Sequence, residues 1–361
     1  MKRSCLVKAF VYLCPLAVVI FLWNTLYLRD VQLRHWDDYQ SSSLPQHASA
    51  GTTMSMAELR AQAHAILAER KGKFPCDSAA LAGPDNHQIF YNRIGKAGSS
   101  TISTLFQKTI YRRNGVQLHL HLDEPSKRGS DEFMTQQGEL ELIQKIVGRP
   151  RHAWMDPSTH SVFVYHAFFL NFTRYGLRLP MYINLLREPA ERYVSQKAFW
   201  DTLPDIGPLT REHGATLEEC LQQGQQHLIG CPPLNYQTSY LCGHELDCRD
   251  PPDDASFLQA VRHVVENYAV VGTLEQLNDF KEQIVTMFPE FISPQHRHLW
   301  HPTSTTAAVN VNKHKHVNES LLGSVRQANK YDAILYEIVQ QISAQRLAAC
   351  RRKSTTNTTD A

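Results

Sequence analysis

The 361-residue chain lacks a large charge excess: 37 Lys and Arg stand against 35 Asp and Glu, for a formal charge of +2. A general nucleic-acid binder would be far more basic, so that class is excluded and function must lie in local sites. None of the eight cysteines forms a C-x-x-C pair, which weighs against a zinc centre. No glycine precedes Gly95-Lys96 at the spacing that G-x-x-x-x-G-K-[ST] requires, so the nucleoside-triphosphate loop is missing and a nucleotide kinase is disfavoured. No internal repeat is present. The length suits one large globular domain, or two small ones, with appendages.

What the chain does have begins at its N-terminus. Ala9 to Leu28 is an uncharged apolar run long enough to span a bilayer. Lys2, Arg3 and Lys8 precede it, so the positive-inside rule puts residues 1–8 in the cytosol and the remainder in a lumen. A cleaved signal peptide is the alternative, but the run is long for an h-region and lacks a clear small-x-small site. Residues 29–75 read as a luminal stem, poor in groups to bury, with a helical period from Ser55 to Lys71 expected to pack beside the body. A globular domain is expected over residues 76–350 and a tail over 351–361. Asn171, Asn318 and Asn357 head N-glycosylation sequons. Six cysteines follow the apolar run, an even number for an oxidising compartment. Close spacing makes Cys220–Cys231 and Cys242–Cys248 the natural bridges, and Cys76 with Cys350 would tie the ends of the domain.

Gln88-Ile-Phe-Tyr-Asn-Arg-Ile-Gly-Lys-Ala-Gly-Ser-Ser-Thr101 reads as a buried strand, a glycine-bearing turn with one lysine, and hydroxyl residues opening a helix. Such a turn aims backbone N–H groups and a helix N-terminus at one spot, which suits phosphate or sulfate. An ordinary strand-to-helix turn is the plainer account of the same string. Further along, strands are expected at Val116–Leu122, Ser161–Tyr165, Met181–Leu186 and Ala269–Val271. Helices are expected at Thr101–Thr109, Gly138–Val147, from Glu188-Pro189 onward, and at Phe257–Tyr268, Leu274–Met287 and Leu321–Leu347. Strands alternating with helices imply a three-layer α/β domain with a mostly parallel sheet. His119 and His121 share a strand face, but no third ligand accompanies them, so no metal site is expected.

Ligands of open α/β sheets bind beyond the carboxyl ends of the strands. Three expected strand ends carry suggestive chemistry: Arg93 with Lys96, His166, and Arg187 followed eight residues later by Ser195. Arg187 at a strand end and Ser195 two helical turns on could meet one anion; a sheet-edge arginine and a solvent-facing serine are the alternative.

Together, five segments resemble the Golgi glycosaminoglycan 2-O-sulfotransferases, the heparan sulfate and uronyl family. They are Tyr91-Asn-Arg-Ile-Gly-Lys-Ala-Gly-Ser-Ser100, His166-Ala-Phe-Phe-Leu-Asn-Phe172, Tyr182-Ile-Asn-Leu-Leu-Arg-Glu-Pro-Ala-Glu-Arg192, Leu241-Cys-Gly-His244 and Val270-Val-Gly-Thr273. The resemblance spans residues 88 to 280 and implies a nucleotide-kinase-like sulfotransferase fold. It implies 3′-phosphoadenosine 5′-phosphosulfate as donor, with no metal, and the 2-hydroxyl of a uronic acid in a glycosaminoglycan as acceptor. Lys96, Ala97, Gly98, Ser99, Ser100 and Thr101 would hold the 5′-phosphosulfate, and Arg187 and Ser195 the 3′-phosphate. His166 would be the base, Lys96 would stabilise the leaving oxygen, and Arg93 would clamp the acceptor's carboxylate or sulfate. Asn312, Lys313, His314 and Lys315 would form a loop closing over the nucleotide. Lys108, Arg112 and Arg113 extend a basic track, or a solvated helix end. A Golgi location, a type II anchor and a homotrimer complete the implied picture.

Departures bear on the acceptor. The turn lacks the proline that the heparan branch has before its lysine and is closer to the uronyl branch. Val164 stands where heparan enzymes carry a second histidine, and Thr202–Gly214 has no arginine-rich segment. Two other readings are a sulfotransferase for another hydroxyl and a catalytically silent Golgi protein that binds glycosaminoglycan. The intact set of Lys96, His166, Arg187 and Ser195 argues against silence.

Overall fold

The computed structural model describes residues 54–70, 74–77, 87–110, 115–120, 135–147, 160–202, 215–222, 230–245, 248, 251–301 and 317–359, with side chains described to Lys353. The apolar run Ala9–Leu28, Lys313 with its neighbours, His121 and the side chain of Asn357 lie outside that set. Among the described residues, no helix is long and apolar enough to cross a membrane. The described residues lie in one compact unit, Met54–Ala361.

Five strands form one sheet: β1 (Gln88–Asn92), β2 (Val116–Leu120), β3 (His160–Tyr165), β4 (Met181–Leu186) and β5 (Tyr268–Thr273). Their order is β2-β3-β1-β4-β5 and every pairing is parallel. The central strands β1 and β4 and the strand β5 are buried at every position. Both faces of this sheet are covered, which is why these strands read as unbroken apolar runs and not as alternation. On one face, Phe90 and Tyr182 join a core built from α1 (Met56–Glu69), α3 (Gln136–Val147), α6 (Tyr236–Cys242), α7 (Asp254–Asn267) and α10 (Lys330–Thr359). On the other, Ile89, Tyr91 and Ile183 pack with α2 (Ser99–Ile110), α8 (Leu277–Met287) and the 3₁₀ segment Pro294–Trp300. The three-layer α/β architecture follows from this alternation of side chains across the sheet.

Local chemistry starts the helices where they start. Ser55 caps α1 and Glu58 reaches back to its backbone, a reciprocal box. Helix α4 (Pro189–Trp200) opens with Glu188 as its cap and a proline in its first turn. Leu59, Ala63 and Leu67 of α1 are buried in the main core, so this helix of the expected stem packs on the body.

Two expected helices differ in detail. Leu321–Leu347 is not continuous: α9 (Glu319–Ala328) and α10 are separated at Asn329, whose Oδ1 accepts from Asn235 N at 2.8 Å. A long-range partner there outweighs one more helical residue. The segment from Leu274 begins as a 3₁₀ turn, Leu274–Gln276, before α8. The structure joins Cys76 to Cys350, Cys220 of the short helix α5 (Leu217–Gln222) to Cys231, and Cys242 to Cys248.

Candidate functional site

Arg93, His166 and Arg187 are each the first residue beyond a strand, following β1, β3 and β4. Those strands are neighbours in the sheet, so all three side chains emerge at its carboxyl edge, where open α/β sheets bind ligands. Register does the rest: Asn92 stands opposite Tyr165, and Arg93 N donates to Tyr165 O at 2.8 Å, which brings Arg93 beside His166. A buried polar cluster holds these strand ends. Asn184 Nδ2 donates to Asn92 Oδ1 at 2.9 Å, and Asn92 Nδ2 donates to the Tyr268 hydroxyl at 2.9 Å.

The turn from Gly95 to Gly98 leads directly into α2. Lys96 has φ 65° and Gly98 φ 79°. A left-handed lysine costs on the order of 1 kcal/mol, which the surrounding contacts must offset. Gly98 cannot be replaced easily, since its φ of 79° is a conformation that residues with a Cβ rarely adopt. Lys96 Nζ sits 4.4 Å from the centroid of the Phe199 ring on α4, and Phe199 is the exposed large apolar side chain among the described residues. Burial, and then the Arg187 charge, lowers the Lys96 ammonium from its ordinary range. Two cations thus share one spot, the field that a phosphosulfate would relieve.

Arg187 donates through Nη1 to Lys96 O at 3.4 Å and through Nη2 to Glu191 at 3.1 Å. Its backbone is clasped by the Gln237 side chain, which accepts from Arg187 N and donates to Arg187 O, both at 3.0 Å. Ser195 is buried further along α4, one turn before Phe199. Ser99 is buried, Thr101 half-buried and Ser100 exposed at the start of α2, and Ala97 is enclosed.

His166 accepts on Nε2 from Arg93 Nε at 2.7 Å, and Arg93 Nη2 points at the same nitrogen. Arg93 Nη1 approaches Ser103 Oγ at 3.5 Å, while Tyr240 donates to Arg93 O at 2.8 Å. Burial first, and the adjacent guanidinium second, depress the imidazole from 6.5 to about 3. The ring is therefore neutral near pH 7, and it is a weak base while the guanidinium stays against it. Gly243 lets α6 close on the segment after His166, because a Cβ there would lie 2.3 Å from Phe169 O.

The structure therefore brings Lys96 to Arg187 and Arg93 to His166. Val164 is enclosed in the sheet core and supplies no titratable group beside the histidine. His119 stacks on Phe163 with centroids 4.6 Å apart. Among the described residues there is no group of three or more His, Cys, Asp or Glu side chains that could hold a metal ion. Sequence reasoning missed Gln237, Phe199 and Ser103. The i,i+4 spacing of Ser195 and Phe199 on α4 was the available signal for Phe199; Gln237 lies fifty residues from Arg187 and carried none.

A five-stranded parallel sheet with helices on both sides and a cation-bearing turn at its carboxyl edge is consistent with a sulfotransferase fold. The curated homologues of this chain are uronyl and heparan sulfate 2-O-sulfotransferases. It is 28% identical to the uronyl 2-sulfotransferase of Homo sapiens over 249 residues, covering 64% of this chain and 57% of the relative. It is 26% identical to the heparan sulfate 2-O-sulfotransferase of Caenorhabditis elegans over 248 residues, covering 67% of this chain and 73% of the relative. It is also 26% identical to heparan sulfate 2-O-sulfotransferase 1 of Gallus gallus over 226 residues, 60% of this chain and 59% of the relative. No protein-family model matches the chain.

Proposed function

We propose that this protein transfers a sulfuryl group from 3′-phosphoadenosine 5′-phosphosulfate to the 2-hydroxyl of a uronic acid within a glycosaminoglycan. The observation that carries the reading is the pairing, on adjacent strand ends, of a Lys96–Arg187 cation pair with a neutral His166. The donor supplies an activated sulfur with a phosphate leaving group. Lys96 and the backbone from Ala97 to Thr101 would hold its phosphosulfate end, and Arg187 with Ser195 its second phosphate; Lys313 belongs to the same proposal. That residue set fits such a dianion, since the two cations already crowd each other. His166 would take the acceptor proton and Lys96 would stabilise charge on the leaving oxygen. Arg93 would hold the acceptor carboxylate through its planar fork.

We propose further that Ala9–Leu28 anchors the chain as a type II protein of the Golgi membrane with the body in the lumen. The preceding cations and the three disulfides support this. Trimerisation enters as part of the same family expectation.

The test uses the secreted segment from Gly51 onward with sulfur-labelled donor and desulfated heparan, chondroitin or dermatan, followed by digestion to disaccharides. Label on the uronic acid 2-position is expected, with a loss on the order of 10²–10⁴-fold in His166→Ala. Label on another position would keep a sulfotransferase and remove the 2-O assignment. Donor-product binding without labelling of any acceptor would leave a silent binder.

A further inference from the structure

A neutral imidazole has one in-plane lone pair. In His166 that lone pair, on Nε2, faces both Nε and Nη2 of Arg93, so the ring proton resides on Nδ1 and the basic atom is taken. The histidine cannot accept a substrate proton while the guanidinium stays where it is. The backbone of Arg93 is held on both sides, by Tyr165 O and by the Tyr240 hydroxyl, and its third nitrogen approaches Ser103. Among the described residues, the charge acting on the His166 ring is that of Arg93.

We propose that Arg93 is a latch on the base: the acceptor's own carboxylate draws the guanidinium off His166 and thereby frees Nε2 for the adjacent hydroxyl of the same sugar. The inference rests on the sulfotransferase reading above and deepens it. The driving force is the preference of a guanidinium for a carboxylate, a charge-assisted and often bidentate partner, over a neutral imidazole nitrogen. Once Nε2 is free, the hydroxyl proton passes to it while the hydroxyl oxygen bonds to sulfur. The bond from sulfur to the donor's phosphate oxygen breaks with its electron pair leaving on that oxygen. An acidic sugar thus arms the base that acts on it, whereas a neutral sugar leaves the latch closed. Specificity for uronic acids then appears in the chemical step and not only in binding.

The test compares the uronate polymer that takes label in the assay above with its carboxyl-reduced derivative, which keeps the 2-hydroxyl. The measured quantity is kcat at saturating acceptor. The wild-type protein is expected to favour the uronate by about a hundredfold or more in kcat, the range of a lost general base. In Arg93→Ala the latch is absent for both acceptors, so the ratio is expected to fall to about threefold or less even though both rates drop. Arg93→Gln serves if the alanine variant does not fold. A second measurement needs no variant: nitrogen-15 NMR of His166 in the wild-type protein with adenosine 3′,5′-bisphosphate. The Nε2 resonance is expected to move when the uronate oligosaccharide is added and to stay when the reduced one is added. Equal kcat on both acceptors in the wild type, an unchanged ratio in the variant, or the same Nε2 shift with either sugar would overturn the latch while leaving 2-O-sulfation intact. Failure to label any uronic acid would overturn the parent reading and the latch with it.

Discussion

Single atoms at Asn171 and Asn318 separate two sequons that look alike in the sequence. Asn171 Nδ2, the nitrogen a glycan would occupy, donates to Glu245 Oε1 at 2.7 Å. Its Oδ1 receives the Thr173 hydroxyl at 2.6 Å and caps the turn Phe172–Tyr175. Arg174 bridges the same Glu245 and the enclosed Glu139, so the side chain of Asn171 is one member of a polar network. Asn318 is exposed, and its oxygen accepts from Ser320 N at 3.0 Å to cap α9. On expression through a secretory route, Asn318 is expected to carry glycan and Asn171 to be unmodified. Peptide mass spectrometry after enzymatic deglycosylation reads this directly; glycan on Asn171 at an occupancy equal to that on Asn318 would refute it. The same contrast explains why a three-residue motif is weak evidence: its atoms have other uses in the fold.

At the scale of elements, the short helix α6 links the C-terminal helix to the candidate donor site. Asp332 on α10 accepts from Thr238 N at 2.7 Å, Gln237 N at 3.1 Å and the Thr238 hydroxyl at 2.8 Å, which satisfies the N–H groups opening α6. Asn235, in the left-handed region at φ 52°, returns the favour by accepting from Tyr331 N at 3.0 Å. Gln237, two residues further on, clasps the backbone of Arg187. Asp332 also faces the enclosed Arg192 guanidinium, whose charge it helps to offset. Asp332→Ala should therefore cost about 3 kcal/mol of stability by stranding buried donors and a buried cation. It should also weaken affinity for adenosine 3′,5′-bisphosphate, because Arg187 loses its anchor. Asp332→Asn, which keeps an acceptor oxygen, should recover part of both. Calorimetry of unfolding and of binding reads the two effects; a stability loss without any change in affinity would break the link from α6 to Arg187.

For the whole molecule, two enclosed histidines and the half-buried His166 set how acid acts on the fold. Burial lowers His166 to about 3, and His244 and His263 to about 4, against an ordinary 6.5. In the unfolded chain these rings bind protons below about 6.5, whereas in the folded protein they stay neutral until pH 4 or lower. Between those limits the unfolded state binds more protons, so stability rises with pH and is lost as pH falls from 6.5 toward 4. His263 shows the structural cause: it is almost fully enclosed, and that burial outweighs the bond from its Nδ1 to Leu241 O at 3.0 Å, which by itself favours the charged ring. The midpoint of thermal unfolding is expected to be level from pH 8 to 7 and to drop steadily from pH 6.5 to 4.5. A flat profile over that lower range would show that the rings open to solvent. The Cys76–Cys350 bond, closing a separation of 274 residues, ties the first and last parts of the domain and opposes such opening.

Much of this was written in local sequence. The apolar runs at 88–92 and 181–186 announce buried parallel strands because a two-sided sheet needs side chains that are apolar on both faces. Gly95-Lys96-Ala97-Gly98-Ser99-Ser100 announces a cation-bearing turn into a helix because glycine, one lysine and a helix start are all short-range properties. Arg93, His166 and Arg187 could be named from their positions after strands. Their pairing could not. That Arg93 closes on His166 depends on the register of β1 with β3, a contact between residues 73 apart in sequence. That Arg187 is held by Gln237, and Gln237's helix by Asp332, depends on segments 50 and 95 residues apart packing together. Chain composition and periodicity encode which residues are available and which faces are apolar. Only the folded chain decides which distant polar groups satisfy one another, because a buried donor takes the acceptor that packing puts in reach.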